Sequence, residues 1–370
     1  MPDSLINDFR QAFNACQHRT ARNLDAGLKQ RFQQLADSLD DDETSDLYGS
    51  GALIEALETE VAELLGKEAA VFLPSGTMAQ PIALKIWSEA ARTPYVAMHS
   101  TSHVLLHEHN GYQALYGLHG VTIGQNHQVP TLEDLQQAAL NPLAAVLLEL
   151  PMREIGGQLP PWDDLVAQTQ WLKAQGIRVH MDGARLWQCP AAYDKSLADI
   201  AALFDSVYVS FYKDLGGLAG ACLVGDQTFI DKARIWIRRA GGNLYSLAPY
   251  VVAAREGLKT HLPQMPKRRE QAIWLAGQLN ALPGISTWPR VPQTNMFRLR
   301  LRGDANSVLP AMIKWMQATG IGILTPPYEV GEDYMMTELT IGDGFNTLPE
   351  EDWLRHIASF GDLLRSVISD

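Results

Sequence analysis

Two short segments place reactive side chains directly after apolar runs. Asp182-Gly183-Ala184-Arg185 follows Ile177-Arg178-Val179-His180-Met181, and Lys213 comes just past Ser206-Val207-Tyr208-Val209-Ser210. A lysine amine condenses with a carbonyl. A buried aspartate keeps a pyridine nitrogen protonated, so electrons from a bond breaking at Cα can flow into the ring. The pair therefore suits a pyridine aldehyde carried as a Schiff base on Lys213. Taken singly, Asp182 reads as a helix N-cap and Lys213 as a solvated loop lysine; it is the pairing, with Lys213 between a strand and a glycine-rich turn, that points to chemistry. A third segment, Leu73-Pro74-Ser75-Gly76-Thr77, runs from an apolar stretch into small residues and then a helical pattern. Backbone N–H groups at such a helix start form an anion site that fits a phosphate, although Ser75 and Thr77 are also ordinary capping residues.

The competing signal is a run of histidines. His99, His103 and His107 fall at i, i+4 and i+8, with Glu108 and His109 adjacent. On a helix they would present three imidazoles to a zinc ion. There is no His-Glu-x-x-His pattern and no obvious further ligand, so no metal is assigned. A single imidazole, His103, can instead stack on a pyridine ring.

These groups need a scaffold that brings strand ends together. Apolar runs at Ala69–Leu73, Tyr95–Met98, Ala145–Leu148, Ile177–Met181 and Ser206–Ser210 read as strands. Helical patterns separate most of them, including 51–66, 131–140 and 162–175. Strands alternating with helices predict an α/β domain with a mostly parallel sheet flanked by helices. In such a sheet the ligand crevice lies at the carboxyl ends of the strands, where Asp182 and Lys213 would meet. After about residue 255 the pattern changes to long amphipathic helices at 267–282 and 305–319, strand-like segments at Met296–Leu301 and Glu338–Ile341, and a last helix from Glu350 to Val367. The expected division is a large domain over 46–255 and a smaller α+β domain made of 1–45 plus 256–370.

Composition narrows the function classes. The chain has 370 residues, 46% hydrophobic and 19% charged, and a net charge of -12. Nucleic acid and anionic membrane surfaces are poor partners for that charge. The cysteines, Cys16, Cys189 and Cys222, are sparse, odd in number and far apart, which suits a reducing compartment. The N-terminus lacks a signal-peptide pattern and no apolar stretch reaches membrane-spanning length, so a cytoplasmic location is expected.

Taken in order, the segments resemble the threonine aldolase and β-eliminating lyase family of fold-type-I pyridoxal-phosphate enzymes, from Tyr48 to about Asn295. The resemblance rests on Tyr48-Gly49, on VAELLGKEAAVFLPSGTMA, on His103 with Glu108, and on Glu149 with Gly156-Gly157. Asp182 with Arg185, Lys213, and Gln293-Thr294-Asn295 complete it. It implies pyridoxal 5'-phosphate as cofactor, held through Ser75, Gly76 and Thr77, by His103 against the ring, by Asp182 at the ring nitrogen and by Lys213 covalently. It implies an amino acid substrate met by Arg185 and Tyr48, and a homodimer or homotetramer. This chain also departs from the family pattern. Met152 stands where the family has a histidine that handles the β-hydroxyl, Tyr212 replaces a serine, and Tyr245 stands near an expected arginine. A second arginine expected near Thr337 is absent, and Arg153 is the substitute. The expected activity is aldol cleavage of a β-hydroxy-α-amino acid to glycine and an aldehyde, with Lys213 and His103 as the catalytic residues. The alternatives are β-elimination at Cα–H with Lys213 as base, aminotransfer, and a non-catalytic cofactor-binding protein.

Overall fold

A computed structural model describes residues 3–23 and 27–368. The chain forms two compact units, one of 26–154 with 159–265 and the other of 1–25, 155–158 and 266–370. The larger unit is built on a seven-stranded sheet. Its strands in chain order are β1 (Ala69–Leu73), β2 (Tyr95–His99), β3 (His119–Ile123), β4 (Ala145–Glu149), β5 (Arg178–Gly183), β6 (Ser206–Ser210) and β7 (Ala221–Gly225). Their spatial order is β1-β7-β6-β5-β4-β2-β3. Only β7 runs against its neighbours, pairing antiparallel with both β1 and β6, while the β3-β2-β4-β5-β6 ladder is parallel throughout.

The apolar runs become strands because both faces of this sheet are covered, as a largely parallel sheet requires. Alternation along each strand divides its side chains. Val146, Leu148, Val179, Met181, Val207 and Val209 belong to one core. Ala145, Leu147, Val96, Met98, Tyr208 and Leu223 belong to the other, beneath the helix Gly76–Ala91. Two strands have weak sequence signals. β3 is the edge strand His-Gly-Val-Thr-Ile, half exposed and without an apolar run. β7 is fully buried but follows directly on the glycine-rich turn after Lys213. From β2 the chain passes outward to β3, and then from β4 onward it builds in the opposite direction. The reversal opens a crevice at the carboxyl ends of β2 and β4.

The smaller unit holds a four-stranded antiparallel sheet. Its strands are β8 (Ile285–Trp288), β9 (Met296–Arg302), β10 (Glu329–Val330) and β11 (Tyr334–Thr340). The helices Ala305–Thr319 and Glu350–Val367 lie where their periodicity predicts, and β11 alternates strictly between buried and half-buried positions. Phe297, Leu299, Trp353 and Phe360 are in its core with Phe9 and Phe13 of the first helix.

The unit boundaries differ from the expected 46–255 division in ways that specific bonds explain. Residues 28–45 stay with the larger unit because Glu43 accepts from Arg255 and Ser38 O accepts from the same guanidinium. Ile155–Gln158 goes with the smaller unit. Thr294 donates to Gly157 O at 3.4 Å, and a Cβ on Gly157 would lie 2.4 Å from Met296 Cγ.

Trp353 is fully buried, stacks on Phe345 at 5.3 Å and donates to its carbonyl at 2.9 Å. Trp353→Ala should destabilise the smaller unit by ~3–5 kcal/mol, measured by urea unfolding.

Candidate active site

At the carboxyl ends of β4, β5 and β6, Glu149 pairs in register with Asp182, and Asp182 with Tyr208. Parallel pairing sets all three on the sheet face beneath the helix Gly76–Ala91. Asp182 is 3% exposed, and its Oδ1 accepts from Ala184 N at 3.1 Å. Glu149 Oε1 accepts from Arg153 N at 3.0 Å, while its buried Oε2 has no hydrogen-bond partner. A carboxyl so placed is costly to ionise. Burial first, and the Asp182 carboxylate second, push Glu149 up to about 8, against the Arg153 N–H and the charges of Arg185 and Lys213.

Lys213 enters from the turn after β6. Among the described residues no hydrogen bond or ion pair holds its Nζ, which lies 5.8 Å from the centre of the Tyr212 ring. Burial and then the Arg185 guanidinium pull the amine down to about 8, opposed by Asp182, Glu149 and Asp214. Such an amine is neutral far more often near neutral pH than a surface lysine, as a nucleophile requires. Asp214 is buried beside it and accepts from Gln188 Nε2 at 2.7 Å. Asp182, Arg185 and Lys213 thus share one electrostatic neighbourhood with Glu149.

Directly below lies a second polar layer. His180 and Ser206, paired in register, stand one alternation beneath Asp182 and Tyr208. Trp87 Nε1 donates to Ser206 Oγ at 2.8 Å, Ser206 meets His180 Nδ1 at 2.8 Å, and His180 Nε2 meets Gln80 Oε1 at 2.7 Å. With the tryptophan able only to donate, the serine proton goes to Nδ1 and the histidine proton to Gln80. Burial drives His180 down to about 3, so it stays neutral. The layer joins the first turns of the helix Gly76–Ala91 to the strand that carries Asp182.

That helix opens at the site. Ser75 is its extended N-cap and makes no side-chain cap bond, so the first N–H groups are uncommitted to it. Gly76 is buried, and a Cβ there would lie 1.9 Å from the Tyr208 hydroxyl; only glycine lets the helix start approach the sheet this closely. Thr77 is exposed.

The histidine run is not a helix. His99 closes β2 with its ring bonded to Thr101 Oγ1 at 2.8 Å, and His103 opens a four-residue helix after it. The strand end at His99 and the turn after it break the helical spacing that would aim all three imidazoles at a metal, and no metal-holding group of three or more His, Cys, Asp or Glu occurs among the described residues. His103 Nδ1 meets Glu108 Oε1 at 3.2 Å, and its ring centre lies 5.0 Å from that of His107.

Two substrate-facing expectations are placed less directly. Tyr48 is 58% exposed, with a positive φ of 52°, and its ring packs edge-on against Tyr245 at 5.4 Å. No hydrogen bond joins it to Asp182, Arg185 or Lys213 among the described residues. Arg153 reaches the site through its backbone N–H on Glu149, while its guanidinium meets Glu154 at 3.0 Å. Glu149 itself was expected only as part of a loop frame, and Tyr208 and Asp214 were not expected here. Tyr208 sits within an apolar run that reads as core, and only its register with Asp182 reveals it.

The donor set fits a phosphorylated pyridine aldehyde. It supplies an unbonded lysine amine, a buried aspartate two strand positions above a neutral histidine layer, an orphaned carboxyl oxygen and an open helix start.

Comparisons with known proteins agree. The family model for beta-eliminating lyases matches residues 31–302. A solved structure from Listeria monocytogenes EGD-E, provisionally assigned as an L-allo-threonine aldolase, has a TM-score of 0.93 at 38% identity. It covers 97% of this chain and 100% of its own. Another from Exiguobacterium sp. 255-15, provisionally assigned as an aromatic amino acid beta-eliminating lyase/threonine aldolase, also has a TM-score of 0.93 at 38% identity, over 96% of this chain and 100% of its own. The low-specificity L-threonine aldolase 1 of Arabidopsis thaliana is 28% identical over 286 residues, 75% of this chain and 79% of that protein.

Glu149→Gln removes a carboxylate that raises Lys213, so the pH at which this amine is half neutral should fall below about 8. The pH dependence of Lys213 modification by an amine-selective reagent, followed by peptide mass spectrometry, measures it; an unmoved midpoint would uncouple the two groups. The same variant has a stability signature. Glu149 is raised from 4.5 to about 8 in the fold, so its stabilising protonated form is lost as pH climbs through that window. The advantage of Glu149→Gln over wild type in the cofactor-free protein should therefore grow from acid toward about pH 8, read by denaturant titration at each pH.

Proposed function

The chain belongs to the beta-eliminating lyase family, and from that premise we propose that it is a pyridoxal-phosphate-dependent lyase cleaving the Cα–Cβ bond of a β-hydroxy-α-amino acid to glycine and an aldehyde. The observation that carries this reading is the Lys213 amine, lowered to about 8 in the shared field of Arg185, Asp182 and Glu149.

In this reading Lys213 holds the cofactor covalently. Asp182 faces its ring nitrogen, His103 lies against its ring, and the helix start at Ser75, Gly76 and Thr77 takes its phosphate. When bound, the cofactor supplies an electron sink for a bond broken at Cα. Arg185 binds the substrate carboxylate and so decides which Cα bond is presented for cleavage. Arg153 and Tyr48 border the same substrate space. Glu149, raised by its neighbours, keeps a proton beside Asp182 while Asp182 remains the ring's counter-charge. Lys213, close to half neutral around pH 8, can accept or return a proton at Nζ.

That last property favours one second reading, β-elimination. There Lys213 takes the Cα proton, and a keto acid with ammonia replaces glycine with an aldehyde. Aldehyde from threonine, allo-threonine or phenylserine supports the aldol reading; pyruvate from serine or cysteine supports elimination.

Two coarser features accompany the proposal. A homo-oligomer is supported by the large exposed apolar side chains Leu47, Tyr48, Tyr212, Leu244 and Tyr245. A cytoplasmic location is supported by Cys16, Cys189 and Cys222, all buried and unpaired. No helix among the described residues is long and apolar enough to cross a membrane.

Titration with pyridoxal phosphate should give a visible absorption band. Borohydride should then attach the cofactor to the Lys213 peptide in wild type and leave Lys213→Ala unlabelled, as read by mass spectrometry. Absence of any band in wild type would overturn the proposal. Arg185→Gln should raise KM and lower kcat together, because it removes both the carboxylate contact and the orientation that presents the scissile Cα bond.

A further inference from the structure

The resemblance places a β-hydroxyl-handling histidine at position 152. Met152 stands there, and its side chain is 1% exposed, so that loop offers no imidazole to a substrate. The structure brings one in from a different segment. His107 caps the four-residue helix that His103 opens. Its ring centre lies 5.0 Å from the His103 ring, tilted by 51°. Its Nε2 lies 3.1 Å from Glu154 Oε1. The same oxygen accepts from Arg153 Nη1 at 3.0 Å, and Arg153 N in turn donates to Glu149 Oε1 at 3.0 Å. His107 is therefore tied on one side to the histidine set against the cofactor. On the other it is tied, through one Arg–Glu pair, to the strand-end carboxylates.

The two histidines are not equivalent. His103 bonds through Nδ1 to Glu108, whose side chain is only 3% exposed, and in the proposed function it spends its face on the cofactor ring. A substrate held at the cofactor would present its β-hydroxyl beside the His103 ring. His107 adjoins that ring, tilted by 51°, and its side chain is 42% exposed. A carboxylate can only accept, so the Nε2 contact with Glu154 puts the His107 proton on Nε2 and leaves the basic lone pair on Nδ1. Among the described residues no hydrogen bond occupies that nitrogen. An imidazole oriented by a carboxylate, with its other nitrogen open, is the arrangement of a general base.

We propose that His107, oriented by Glu154, takes the β-hydroxyl proton of the substrate at Nδ1 and supplies the imidazole that position 152 lacks. The proposal rests on the aldol reading above. The O–H bond breaks and its proton passes to Nδ1. The O–H pair becomes the second bond of the aldehyde carbonyl as Cα–Cβ breaks. The Cα–Cβ pair stays with Cα, a proton from solvent completes glycine there, and His107 returns its proton to solvent.

The test compares wild type, His107→Asn and Glu154→Gln, each loaded with pyridoxal phosphate. Aldehyde release from allo-threonine and threonine is set against exchange of the glycine α-proton in deuterium oxide, which has no β-hydroxyl to deprotonate. In His107→Asn the ratio of cleavage to exchange should fall by ~10²–10⁴, and in Glu154→Gln by less, because the imidazole remains. Separately, two-bond proton–nitrogen correlations on cofactor-free protein should show His107 as the Nε2–H tautomer in wild type and as a mixture in Glu154→Gln. An unchanged ratio in His107→Asn, or an Nδ1–H tautomer in wild type, overturns the role of His107 while leaving the aldol reading in place. Wild type that exchanges glycine yet releases no aldehyde from any β-hydroxy amino acid overturns the aldol reading, and this role with it.

Discussion

Two carboxylates on adjacent parallel strands, Glu149 and Asp182, are held out of water in register with each other, and much of the surrounding structure answers that arrangement. Like charges side by side in a poorly hydrated place cannot both be ionised cheaply. One of them, Glu149, is accordingly displaced toward its neutral form. The cations nearby, Arg185 and Lys213, stabilise the carboxylates while repelling each other, and that repulsion adds to burial in lowering the lysine. The sheet makes the carboxylate pair possible, because parallel register at the ends of β4 and β5 fixes Glu149 and Asp182 side by side.

The polar layer beneath gives this arrangement a floor. Trp87, Ser206, His180 and Gln80 form a directional series of hydrogen bonds between helix and sheet, and a buried network of this kind tolerates little shear. It fixes the start of the helix Gly76–Ala91 relative to Asp182. The close approach of Gly76 to Tyr208 fixes it from above. The helix start and a carboxylate at a strand end are thereby held at one separation, as a rigid cofactor with two polar ends would require.

Much of this was legible in the sequence for specific reasons. Asp182 and Lys213 follow short segments rich in β-branched and apolar residues, Ile177–Met181 and Ser206–Ser210, that read as strands, so their placement near strand ends was legible locally. The helices at 305–319 and 350–367 have clean amphipathic periods. Tyr208 and Glu149 were hidden because their importance lies in register, a relation between segments about 30 residues apart that no local pattern encodes. The histidine run could compete in the sequence for a related reason: i, i+4 spacing means proximity only on a helix, and β2 extends through His99. Edge strand β3 was missed because a half-exposed His-Gly-Val-Thr-Ile carries no apolar run. The larger unit, 26–154 with 159–265, reaches past 46–255 at both ends, where bonds such as that of Arg255 with Glu43 tie a connecting segment to it.

Asp182 sits at a strand end and Gly76 opens a long helix, whereas His107, Arg153 and Glu154 sit on short turns and are only partly buried. Mutational drift therefore encounters two very different materials within one site. Changes in the turns can alter which side chain is accepted while the sheet keeps its alignment, so new specificities can be sampled without risking the machinery beneath. A laboratory evolving this protein toward bulkier substrates would do well to randomise the turns and leave the sheet alone.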